Sequence, residues 1–248
     1  MTKKIFLGMS AMAMLFATSC KDDFAESFVG DQATVEFSIS TPEIGTRAYS
    51  DGTTATVLQY AVYDAAGEEL TALTKTDGEI HSSAKVTLDL TTGDTYTVVF
   101  WAAAPNAPYT VNFANKTMTV DYTNALSNDE KRDAFYAVET FTVNGAESKT
   151  IELKRPFAQV NFGSAADDWS SVQPFVAVAD DEGNPQIELK SSMTLKGVPY
   201  KFNVAAGDVV AGSVKDVNFG LSYSPIAEAA YDNDYISHDS KDYAWVAM

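Results

Sequence analysis

Cysteine is almost missing: a single one, Cys20, stands in 248 residues. An internal disulfide is therefore excluded, and so are paired-cysteine metal motifs. Histidine is nearly as scarce, with only His81 and His238, and neither lies in an HExxH-type arrangement. No GxSxG elbow occurs; Gly220-Leu221-Ser222-Tyr223-Ser224 has the serine without the closing glycine. Glycine-rich phosphate loops are missing too. Positive charge is in short supply, since 17 Lys and Arg face 34 Asp and Glu for a formal net charge of −17. So acidic a surface repels phosphate, which speaks against nucleic acid as a partner. What is present points to a packed β protein. Hydrophobic residues make up 46% and aromatics 12% of the chain, enough for a real core and rich in strand formers.

The N-terminus carries the first positive signal. Lys3 and Lys4, the apolar segment Ile5 to Ala17, and the small residues Ala17-Thr18-Ser19 form a secretory leader, too short for an ordinary membrane span. The only cysteine of the chain follows at once. An incidental thiol beside a conventional cleavage site is the plain alternative; the sharper reading is a lipoprotein with leader 1–19 and Cys20 as the acylated first residue. Loss of Lys3 and Lys4 leaves −19 on the mature chain. At about 0.8 kcal/mol per buried methylene, two or more acyl chains hold firmly to a membrane. Cys20-Lys21-Asp22-Asp23 resembles the signal that sends Bacteroidetes lipoproteins to the outer face of the outer membrane. Residues 20–32 read as a flexible acidic tether.

Beyond the tether, period-two segments recur at short intervals. In Ala33 to Ser40 the apolar set Ala33, Val35, Phe37 and Ile39 alternates with Thr34, Glu36, Ser38 and Ser40. Pro42 ends the pattern, and a loop of small residues with Arg47 in its middle follows. Further strands are expected at Val57 to Tyr63, through Val86, Leu88 and Leu90, and at Thr95 to Ala103, which is apolar on both faces and so central. Tyr109 to Phe113 and Met118 to Tyr122 follow, turning at Asn115. Ser127-Asn128-Asp129-Glu130 reads as a capping box opening at most two helical turns. Asn144-Gly145, between Ala137 to Val143 and Lys149 to Leu153, signals a hairpin. Pro156 argues against an interior ladder position, so a domain boundary is placed near residue 150. Phe175 to Val178, Ile187 to Leu195, Tyr200 to Val204 and Val214 to Tyr223 supply strands beyond it. Many short strands with almost no helix mean an all-β, β-sandwich protein. The domains are 33–150 and 151–248. The second is expected to be incomplete, because Asp242 to Met248 reads as a strand just beginning.

Few residues select any chemistry. Asp180-Asp181-Glu182-Gly183-Asn184 lacks the spacing of a calcium loop and fits a hairpin turn. Tyr231-Asp232-Asn233-Asp234-Tyr235 fits an exposed acidic loop, with a sugar site as the alternative. Trp101 and Trp169 are possible stacking platforms, although the apolar neighbours of Trp101 favour the core. No carboxylate pair is singled out for glycoside hydrolysis. The expectation is a protein without enzymatic activity, metal or cofactor.

Taken in order, the leader, Cys20, the alternating strand, Gly45-Thr46-Arg47-Ala48 and Asp51-Gly52 resemble Bacteroidetes fimbrillins, the subunits of type V pili. The segments VLQYAVYD (57–64), TYTVVFWA (95–102), TVDYTNA (119–125), RDAFYA (132–137) and LKRPFAQVNFG (153–163) resemble a fimbrillin-like family of Bacteroides lipoproteins. Members of that family continue past the YAWVAM-like segment (243–248). The resemblance implies two transthyretin-like, Greek-key β-sandwich domains. It also implies a surface protease that cuts after an arginine in the loop behind the first strand, removing lipid and strand together. A strand of another subunit then fills the groove. Carried onto this chain, Cys20 is the lipidation site, Arg47–Ala48 the scissile bond, and Val35, Phe37 and Ile39 the core of the removable strand. The implied partners are other fimbrillin-like subunits, the outer membrane through Cys20, and a host glycan or protein ligand. The implied place is the cell surface, or a pilus after processing. The alternatives are an anchor that is never cut and a non-enzymatic, glycan-binding surface lipoprotein.

Overall fold

The computed structural model describes residues 30–42, 52–127, 129–158, 160–164, 191–221, 224–225 and 243–247. Its strands are β1 (Gln32–Ser40), β2 (Val57–Tyr63), β3 (Lys75–Glu79), β4 (Ser83–Thr91), β5 (Thr95–Ala103), β6 (Tyr109–Asn112), β7 (Thr117–Val120) and β8 (Ala134–Thr142). They continue with β9 (Glu147–Glu152), β10 (Val160–Ser164), β11 (Ser191–Pro199), β12 (Lys201–Asn203), β13 (Asp208–Val209), β14 (Val214–Leu221), β15 (Ser224–Pro225) and β16 (Tyr243–Ala247). The chain is an all-β protein of stacked sheets.

A four-stranded antiparallel sheet, β3-β2-β5-β8, forms the middle layer. It is apolar on both faces because β5 is. Tyr96, Val98, Phe100 and Ala102 point one way into a first core, while Val99, Trp101 and Ala103 point the other way into a second. Trp101 is thus a core residue, as its neighbours suggest.

The sheet β4-β1-β9 covers the first face, with β1 in its centre, antiparallel to β4 and parallel to β9. The sheet β13-β12-β7-β6 covers the second face. There β12 pairs with β7 through Lys201–Thr119, Phe202–Met118 and Asn203–Thr117, so residues on either side of position 150 share one sheet. An antiparallel pair, β11-β14, leans on this layer, with Val217 and Phe219 buried beside Ala125. The remaining pairing is β10-β16-β15.

Two local expectations fail for identifiable reasons. No helix opens at Ser127. The backbone N–H of Ser127 is drawn to the Gly220 carbonyl at 2.8 Å, and Leu126 bridges to Gly220. A single 3-10 turn, Glu130–Arg132, forms instead, capped by the Asp129 carboxylate accepting from the Lys131 N–H. The Asn144-Gly145 turn does reverse the chain, but β8 and β9 do not form a hairpin ladder. Leaving the turn, β9 crosses to the other sheet, where Ile151 and the following Leu153 enter the first core, and it lies along β1. Beyond the end of β9, Lys154 returns to β8 in an isolated bridge with Tyr136.

Candidate functional site

The alternation read in the opening strand is what the structure displays. Val35 and Phe37 are 0% exposed and Ile39 1%, while Thr34, Glu36, Ser38 and Ser40 face outward. Phe37 is the keystone of the inner face. Its ring lies 5.4 Å from that of Phe100 and 5.7 Å edge-on from that of Phe141, so it joins β1 to β5 and β8. Such pairs add about 0.5–1.5 kcal/mol beyond burial. On the outer face Thr34 Oγ1 donates to Asp89 Oδ1 and Lys85 Nζ to Glu36 Oε1, both at 2.8 Å. These exposed contacts fix register more than they stabilise.

Both ends of the strand are stitched. Thr92 N–H donates to the Asp31 carbonyl, Leu153 N–H to the Ser40 carbonyl and Thr41 N–H to the Ser82 carbonyl, at 2.8, 2.8 and 3.0 Å. Every residue of β1 has a partner on β4, and Val35 to Ser40 have a second on β9. The strand that comes first in the described chain therefore occupies the inside of a sheet. Without it the site is a slot: β4 on one side, β9 on the other, and a floor of Phe100, Phe141, Val98 and Leu58.

The segment after Thr41 and Pro42 carries Arg47 and Ala48, which lie outside the described residues, as do Cys20, Trp169, His238, Asp180 to Asn184 and Tyr231 to Tyr235. The chain re-enters at Gly52, whose positive φ of 86° suits glycine. The Gly52 N–H donates to Asp133 Oδ2 at 2.9 Å. Thr54 Oγ1 donates to the Glu130 carbonyl at 2.8 Å and lies 3.3 Å from the same Asp133 oxygen. Asp133 is fully buried, and Arg155 donates to its other oxygen at 2.8 Å. The loop thus has two fixed feet, Thr41 on β4's turn and Gly52 on a buried ion pair.

Sequence reading did not single out Asp133 or Arg155. The signal was there: Asp133 stands directly before the apolar Ala134-Phe135, and Arg155 stands two residues after the buried Leu153. A charge at the rim of an apolar run needs a partner once the run is buried. His81, by contrast, is an exposed side chain on the turn between β3 and β4. Among the described residues no three His, Cys, Asp or Glu side chains are grouped to hold a metal ion.

In the second core two phenols are buried against carbonyls. Tyr63 Oη donates to the Phe113 carbonyl at 2.8 Å and Tyr109 Oη to the Arg132 carbonyl at 2.6 Å. Burial pushes both phenols well above the ordinary tyrosine range, Arg132 offsetting part of the effect at Tyr109.

The sheets and the interior first strand define an all-β sandwich protein with its first described strand at the centre of one layer. The chain belongs to the family of unknown function DUF6562, whose model matches residues 26–247. No curated protein matches it. Among solved structures it is similar to a candidate adhesin from Bacteroides thetaiotaomicron, at 13% identity and a TM-score of 0.49, over 91% of this chain and 71% of that one. It is also similar to a candidate polysaccharide-binding protein (DUF1812) from the same organism, at 10% identity and a TM-score of 0.48, over 87% and 71% of the two chains. A third is the fimbrial anchor protein Mfa2 from Porphyromonas gingivalis, at 10% identity and a TM-score of 0.47, over 88% and 72%. The geometry of the first strand, rather than these likenesses, carries the function proposed next.

Proposed function

We propose that the protein is a cell-surface, fimbrillin-like structural and adhesion lipoprotein, without enzymatic activity, that joins other subunits by strand exchange. Lipid on Cys20 holds the newly exported chain to the outer membrane. Cutting after Arg47 frees the strand together with its anchor, and an extended segment of a neighbouring subunit takes its place.

The observation that carries this reading is the position of β1. A strand at the centre of a sheet normally has chain leaving from both ends into the fold. Among the described residues the fold follows only Ser40, so one cut behind the strand separates it from them. Burying Val35, Phe37 and Ile39 is worth roughly 5–9 kcal/mol gross, from about 1.5–3 kcal/mol per side chain. That is comparable with the whole net stability of a domain, about 5–15 kcal/mol. An emptied slot exposes two unpaired strand edges and an apolar floor, a template for strand addition. Replacement by a donor of like pattern restores what was lost.

The test is N-terminal mass mapping of the protein taken from its native cell surface. Mature chains starting at Ala48 are expected. A lipid-bearing Cys20 with residues 21–47 retained on every molecule would sink strand exchange and leave an anchor or glycan-binding role.

A further inference from the structure

The two walls of the slot are not held alike. On the far side from β9, β4 is continuous with the turn that leads into β5. In its own sheet β9 has one ladder partner among the described residues, and that partner is β1. If β1 leaves, no strand of that sheet positions β9 any longer.

Apart from the burial of Ile151 and the following Leu153 in the first core, β9 is positioned by polar ties to β8, the edge strand of the facing sheet. Near the start of β9, Lys149 Nζ lies 3.4 Å from Glu139 Oε1 and 4.5 Å over the Phe141 ring. Past its end, Tyr136 and Lys154 exchange two backbone hydrogen bonds, each 2.8 Å. One residue further, Arg155 donates to the buried Asp133 at 2.8 Å, its guanidinium 4.7 Å over the Phe135 ring. These ties form a seam along β8 that does not involve β1 at all.

The seam matters because of strand direction. Since β1 is antiparallel to β4 and parallel to β9, the two walls run antiparallel to one another. A shift of β9 by one strand spacing, about 5 Å, would let the walls pair directly and seal the slot. The same Asp133 accepts from Gly52 and Thr54, so the seam is also tied to the foot of the loop behind β1.

We propose that the β8–β9 seam, centred on the Asp133–Arg155 pair and seconded by Glu139–Lys149, is a latch that keeps the slot one strand wide after β1 has gone. Asp133 and Arg155 are positioning residues, and the occupant they provide for is an extended strand with apolar side chains at every second position. The inference rests on the strand-exchange reading and concerns how the acceptor stays receptive.

The experiment uses the chain from Lys21 onward with residues 43–50 replaced by the recognition sequence of a specific protease, so that β1 can be cut loose at will. After cutting, a fluorescein-labelled peptide of residues 31–42 is added in excess and its uptake is followed by anisotropy. The latch-intact protein is expected to take up the peptide. The D133N/R155M double variant, which removes both charges together, is expected to take up at least tenfold less, while its uncut form unfolds cooperatively. Should the double variant fail to fold, E139Q on the half-exposed part of the seam is expected to give about a threefold loss.

Equal uptake by intact and variant chains overturns the latch and leaves strand exchange standing. No uptake even by the intact cut chain overturns both. Full uptake differences together with an unprocessed native N-terminus would leave the latch standing and remove the cellular cut.

Discussion

The two faces of the middle sheet are covered in opposite ways. Among the described residues, the central cover strand of one face, β1, is continuous with the fold at one end only; on the other face, the inner cover strands β7 and β12 are each followed and preceded by folded chain. Both covers bury large apolar side chains, Phe37 on one side, Met118 and Phe202 on the other. Equal burial therefore does not mean equal permanence. Which layer can be dismantled depends on how the chain threads it.

The sharpest way to break the comparison is to hollow each face in turn. Phe37→Ala is expected to cost about 3–5 kcal/mol and Met118→Ala about 2–5 kcal/mol, read by denaturant unfolding. The locations should differ: F37A is expected to speed amide hydrogen exchange in β1 and β9, M118A in β7 and β12. Loss of protection spread equally over both covers in both variants would erase the distinction.

A smaller effect tests the second face alone. Tyr63→Phe and Tyr109→Phe remove hydroxyls that donate to buried carbonyls, at about 1 kcal/mol each. Both phenols are raised above the unfolded value, which is about 10. Their neutral-form contribution is complete below that pH and is lost as pH climbs towards the folded value, because the unfolded chain releases the protons first. Wild-type stability should therefore fall above about pH 10, and the double phenylalanine variant should fall less steeply. The smallest effect belongs to the outer face of β1. Lys85→Ala, which breaks the exposed pair with Glu36, is expected to cost under about 1 kcal/mol, and less at high salt.

Much of this architecture could be read from residue order. The alternation from Ala33 to Ser40 marked β1 and its buried face, and the doubly apolar Thr95 to Ala103 marked β5 as central, because periodicity reports directly on which sides of a strand meet a core. What could not be read was which sheet a strand joins. Asn144-Gly145 states that the chain turns; it does not state that β9 will cross the sandwich to lie parallel to β1. Likewise the Ser127 to Glu130 pattern carries helical capping chemistry, but Gly220, some ninety residues on, claims the backbone first. The buried pair of Asp133 and Arg155 is a similar long-range fact: each residue alone looks like a charge beside an apolar run. Arg47 and Cys20, the candidates for processing and lipidation, come from sequence alone.

The mixed neighbourhood of β1 has one more consequence. Because its flanking walls point in opposite directions, any guest entering from either end meets one co-directional and one counter-directional edge. The backbone thus imposes almost no polarity of its own. Nor do the side chains impose much, since Val35, Phe37 and Ile39 read nearly alike forwards and backwards, a bulky ring between two β-branched residues. Orientation of an incoming segment must be dictated by what lies beyond the berth, at the tether that delivers it.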